Sequence, residues 1–157
     1  MNPDFWQEVE RVAWPAVPRA SDAVPGPSNS VPDALHRLDA ARTEAETRAS
    51  YHFTLDAVGH DHSGHLCVVL NEALPFLLRL ATEAEPFTRR AACEVLIDVL
   101  SWLPSQTPAF DDKRIRSYLS QYRSALRQTA NQPDPALVAD SQRELADVVE
   151  TTLREPS

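Results

Sequence analysis

PFTRRAACEVLIDVLSWL, Pro86 to Leu103, is the stretch that decides the fold class. Ala92, Val95, Leu96, Val99, Leu100 and Leu103 recur at helical steps and form one apolar stripe. Arg89, Arg90, Glu94 and Asp98 fill the other, wet side. Pro86 suits a first helical position, where its missing N–H has no partner to lose, and Pro104 closes the segment. The stripe predicts a helix buried on one face and wet on the other.

The same period extends outward in both directions. Upstream, Leu66 or Asn71 to Thr82 reads as a helix with Val69 or Leu70, Ala73, Leu77 and Ala81 inward. Pro75 would kink a helix begun at Leu66 and costs less if the regular part starts near Asn71. Thr43-Glu44-Ala45-Glu46 is a capping box opening a helix to about Val58, with Ala45, Ala49, Phe53 or His52, and Ala57 inward and Gly59 as its C-cap. Ser30 is an N-cap for a helix carrying Leu35 and Leu38, with Asp33 at its positive end. Downstream, Asp112 to Ala130 aligns Ile115, Tyr118, Leu119, Tyr122 and Leu126. Asp134-Pro135 opens a last helix to about Leu153, with Val138, Leu145, Val148 or Val149, and Leu153 inward. Short connections make neighbours antiparallel, and each helix pair spans about forty residues, the period of HEAT and armadillo units. The expected architecture is all-α, a right-handed stack of antiparallel helix pairs of about six or seven helices.

At 157 residues the chain suits one domain that buries roughly 68–70% of its unfolded surface. Three glycines and the lack of any Asn-Gly or Asp-Gly pair remove hairpin punctuation. Asp4 to Trp14 reads as a short helix with Phe5, Val9 and Val12 or Ala13 on one face, ended by Pro15; Trp6 and Trp14 imply that it docks. Pro15 to Pro32 holds five prolines and reads as a linker. The expected division is an N-terminal helix over 1–14, a linker over 15–32 and a helical domain over 33–157.

The net charge of −8 opposes a phosphate backbone, so nucleic acid and anionic membrane are not the expected partners. Cys67 and Cys93 sit in apolar helical patterns and read as buried free thiols in a reducing compartment. Met1 to Trp6 has neither a basic region nor an apolar core of a leader, and no apolar run reaches eighteen residues, so a cytoplasmic location without membrane contact is expected.

Several strings share an order with a known family. They are Ser30-Val31-Pro32-Asp33-Ala34-Leu35, then Arg48-Ala49 and Leu55, then His60-Asp61-His62-Ser63-Gly64, then Ala73-Leu74-Pro75-Phe76-Leu77. Together they resemble the HEAT-repeat, armadillo-like proteins common in actinobacteria. Those carry a Val-Pro before the first repeat helix, a His-Gln-Gly-like turn and a Val-Pro-Phe-Leu helix start. The likeness covers about half the chain, Ser28 to Trp102, and His62-Ser63-Gly64 departs from the family's His-Gln-Gly. The resemblance implies a bacterial repeat protein. Some armadillo-like relatives sit beside toxin genes and resemble immunity proteins, which implies toxin neutralisation as one role.

Candidate chemistry is sparse. His60, His62 and His65, with Cys67 nearby, could supply nitrogen and sulfur ligands to zinc, but their spacing matches no established ligand pattern. Ser63 between His62 and His65 lacks a nucleophile elbow. Lys113, Arg114, Arg116, Arg123 and Arg127 interleave with Tyr118 and Tyr122, a pattern shared by single-strand nucleic-acid binders and by solvated helix faces. Trp102 lies just off the apolar stripe, where it can serve the core or an interface.

The expected function is therefore non-catalytic protein binding, with an inhibitor or immunity-type role on a basic partner. The binding residues are expected at Arg89, Arg90, Glu94, Asp98, His62 and Trp102. No cofactor is expected. The alternative is a small metal-binding protein or metal-dependent hydrolase that uses His60, His62 and His65. Exposed terminal repeats leave a homodimer open.

Overall fold

Side-chain caps set the first three helix starts. The Asn2 side chain accepts from the Phe5 N–H at 2.9 Å and opens α1, Pro3–Arg11. Ser30 accepts from the Asp33 N–H at 3.2 Å and opens α2, Val31–Ala40. Thr43 accepts from the Glu46 N–H at 3.3 Å, while Glu46 accepts from the Arg42 N–H at 2.8 Å, and α3 runs Glu44–Ala57. Glu85 and Pro86 begin α5, Pro86–Trp102. The remaining elements are α4, Leu70–Glu83, α6, Asp112–Ala130, and α7, Ala136–Arg154. The computed structural model describes residues 1–14, 30–58, 69–103, 112–131 and 136–154, and its described residues are all-helical, with seven helices and no strand. No helix among them is long and apolar enough to cross a membrane.

The contacts fall into two rows. α2 touches α4 and α4 touches α6; α3 touches α5 and α5 touches α7. The rows are joined by the pairs α2 with α3, α4 with α5, and α6 with α7. Within a row, directions agree. Glu44 meets Arg90 and Tyr51 meets Asp98, so α3 and α5 run the same way. Between paired helices they oppose: Arg116 reaches the Thr152 carbonyl while Arg123 reaches Glu150, so α6 and α7 are antiparallel. The first row begins at residues 31, 70 and 112, a recurrence of about forty residues.

The core lies between the rows. Leu35, Leu38, Leu74, Leu77, Leu80, Val95, Leu96, Val99, Ile115 and Leu119 are buried in one cluster. Each such leucine contributes roughly 1.5–3 kcal/mol relative to an exposed one. The expected stripe of α5 is buried from Ala92 to Leu100, with Leu103 half-buried. α4 is buried well beyond a single stripe, because α2, α5 and α6 all touch it. It also carries Pro75 as its sixth residue rather than in its first turn.

Two sequence expectations need revision. α3 does not bury Ala45 and Ala49, which are exposed, and His52 is exposed as well. Its inward face is Thr47, Ser50, Thr54, Leu55 and Ala57. The hydroxyls of that face are hidden by main-chain carbonyls: Thr47 donates to Thr43 at 2.8 Å, Ser50 to Arg37 at 3.1 Å and Thr54 to Ser50 at 2.8 Å. A satisfied hydroxyl packs like a small apolar group. The first helix ends at Arg11 rather than Trp14, and the chain then folds back so that the Trp14 Nε1–H donates to the Val9 carbonyl at 3.0 Å.

α1 docks on the first row. Phe5 and Val9 are buried, and Phe5 meets Phe76 edge-on at 5.6 Å. Trp6 stacks on His36 at 3.7 Å. The Met1 amino group donates to both Asp39 oxygens at 2.9 and 2.8 Å. α2 starts two residues before the expected domain boundary at 33, because Val31 is already buried against the core.

Candidate functional site

The charged side chains of α5 do not form a free ridge. No residue from Pro86 to Leu100 is fully exposed, since α2, α3, α4 and α7 all touch this helix. Arg89, Arg90, Glu94 and Asp98 are half-buried. Arg90, Glu94 and Asp98 share the side that meets α3. The Arg90 Nε–H donates to Glu94 at 2.8 Å, and Arg90 lies 3.6 Å from Glu44. The Tyr51 hydroxyl donates to the Asp98 carboxylate. Burial and the Asp98 charge hold the Tyr51 phenol well above its ordinary range. Arg89 points to the next face round, where its charge acts on Cys93 four residues on.

Between α3 and α5 lies an open groove of about 380 Å³. Glu44, Thr47, Arg48, Tyr51 and His52 line it from α3, and Arg90 and Glu94 from α5. The sequence reading anticipated the α5 contribution and missed that of α3. The signal is in the sequence: Glu44, Arg48, Tyr51 and His52 recur at helical spacing, one residue round the helix from Ala45 and Ala49, which the period alone places inward.

Trp102 is half-buried and packs against the core at the end of α5. Cys93 is buried and free, and burial pushes its thiol up to about 12. His60, His62, His65 and Cys67 lie outside the described residues, as do Gly59, the 15–29 segment and Asp134-Pro135. Among the described residues no three His, Cys, Asp or Glu side chains gather in a way that could hold a metal ion.

The arginines of α6 are largely neutralised from within. Arg114 makes a two-pronged pair with Glu72 of α4, at 2.6 and 2.7 Å, and its Nε–H donates to the Tyr118 hydroxyl at 3.2 Å. Arg116 pairs with Asp112 at 2.7 Å. Arg123 and Arg127 both hold Glu150 of α7, at 2.5 and 2.7 Å. These guanidinium groups keep the Glu72 and Glu150 carboxyls below the usual carboxylate range. Tyr118 and Tyr122 are half-buried against the core. The segment therefore stitches α6 to α4 and α7.

Set against protein-family models, curated proteins and solved structures, the chain matches none of them.

Proposed function

We propose that this protein is a non-catalytic binding module of the HEAT or armadillo kind, which engages a basic protein partner through the row of α3, α5 and α7, as an inhibitor or immunity protein does. The observation that carries this reading is the charge on that row. Its exposed acids are Glu44, Glu46, Asp56, Asp140, Glu144 and Asp147, against exposed Arg48, Arg143 and Arg154. An acidic surface speeds encounter with a basic partner and rejects like-charged ones. The arginines of α6, which would have favoured nucleic acid, are paired with the chain's own carboxylates. A cytoplasmic site of action fits a free, buried Cys93.

The test is capture of partners on the immobilised full chain, with mass spectrometry of what is retained near stoichiometry. Reversal at Glu94 or Asp98 would disturb α3–α5 packing, and reversal at Glu46 would remove the α3 cap, so other exposed positions are used: Asp56→Lys, Glu144→Lys and Asp147→Lys together. The reading expects one basic protein, lost in the triple variant and kept in Lys113→Glu. A partner held equally by the triple variant would sink it.

A further inference from the structure

The groove between α3 and α5 has a surplus of hydrogen-bond donors inside an otherwise acidic row. Its acids are already engaged: Glu94 accepts from Arg90 at 2.8 Å, and Glu44 faces the same guanidinium at 3.6 Å. The hydroxyls are engaged too, Thr47 to the Thr43 carbonyl at 2.8 Å and Tyr51 to Asp98. What remains is a pair of unpartnered hydrogen-bond donors. Arg48 and His52 are both exposed, and among the described residues neither makes a hydrogen bond or an ion pair. Arg90 is held by both acids, its Nε–H by Glu94 and an amino nitrogen by Glu44, so the unpartnered donors are those of Arg48 and His52. An incoming ammonium or guanidinium would find both glutamates of the groove already turned to Arg90. An incoming carboxylate would find a guanidinium fork with an imidazole one residue-turn away, without having to break an existing hydrogen bond.

We infer that this groove is a carboxylate-accepting subsite, in which Arg48 and His52 receive an acidic side chain of the partner while the surrounding row recognises its basic surface. The groove, about 380 Å³ and open to solvent, has room for an acidic side chain together with its hydration water. The inference rests on the binding-module reading for the source of the carboxylate, but the subsite itself can be tested without any partner.

The experiment is NMR of the assigned histidine ring signals during titration with acetate and, separately, inorganic phosphate, at fixed pH, with chloride exchanged to hold ionic strength. His36, stacked on Trp6 and away from the groove, is the internal reference. The expected result is a saturable shift at His52 with acetate and none at His36. Arg48→Gln, which removes an exposed and unpaired side chain, should weaken the apparent affinity roughly tenfold, the scale of one charge-assisted pair. Glu44→Gln, which frees Arg90, should strengthen it. Equal movement of His36 and His52, no saturation with either anion, or an unchanged response in Arg48→Gln overturns the subsite. Saturation with phosphate alone overturns the carboxylate assignment. Intact acetate binding with no captured protein would count against the binding-module reading alone.

Discussion

Tyr51 on α3 donates a hydrogen bond to the Asp98 carboxylate on α5, joining two helices across 47 residues of sequence. Glu44 and Arg90 meet near the start of the same two helices. These contacts fix the spacing of the groove walls, so the site depends on a polar clasp beside an apolar core.

Tyr51→Phe removes the donor and leaves Asp98 half-buried without it. The expected loss is about 1 kcal/mol in urea unfolding, with a non-additive double-mutant cycle against Asp98→Asn. The phenol is raised in the folded state, so its contribution is fully present below about pH 10 and lost as pH climbs above that value. Ultraviolet titration should show Tyr51 ionising only with unfolding, and ionisation of a Tyr51-only variant near the free-tyrosine value would refute the clasp.

Glu72 and Glu150 carry depressed carboxyl pKa values, Glu72 because Arg114 donates to it and Glu150 because Arg123 does. Depressed acids stabilise above their unfolded pKa, about 4.3, and the contribution disappears as pH falls through the folded value. Unfolding midpoints should therefore drop between neutral pH and pH 3. The Glu72→Gln, Glu150→Gln double variant should start lower and lose less across the same range. A double variant with the wild-type pH slope would show that these pairs are not the source.

Gln142 is 1% exposed, and neither its Oε1 nor its Nε2 has a hydrogen-bond partner. Burying an amide without partners is costly, and an apolar side chain of similar shape avoids that cost. Gln142→Met should stabilise the protein by about 1 kcal/mol in chemical denaturation. A destabilised variant would mean that the amide is satisfied in solution.

Phe5 anchors α1 between Trp6 and Phe76, with the Arg79 guanidinium 4.8 Å from its ring centre. A helix of nine residues has little stability by itself. Phe5→Ala should release α1 while leaving the two rows folded. The readings are a red shift in Trp6 emission, measured with Trp14 and Trp102 replaced, and a small loss of helical circular dichroism. Cooperative loss of the whole signal would instead make α1 part of the main folding unit.

Much of the fold was legible because it is written locally. Ser30 and Thr43 cap helices through bonds to residues three positions on, and Pro86 starts α5 where its missing N–H is harmless. The α5 stripe is readable because Val95, Leu96, Val99 and Leu100 are large, apolar and periodic. The α3 face was misread for a related reason. Thr47, Ser50 and Thr54 look polar, and only their carbonyl partners reveal that they pack inward.

The sequence by itself determined that the chain is helical, where most helices begin and which side of α5 faces the core, since caps and period act within a turn or two. The tertiary structure decided which charges meet. Glu72 finds Arg114 across 42 residues and Glu150 finds Arg123 across 27. No local rule pairs them, because a salt bridge between helices depends on how their axes are set by core packing. The same packing half-buries the α5 charges expected to be wet and sets Arg48 and His52 in a groove whose acids are already held.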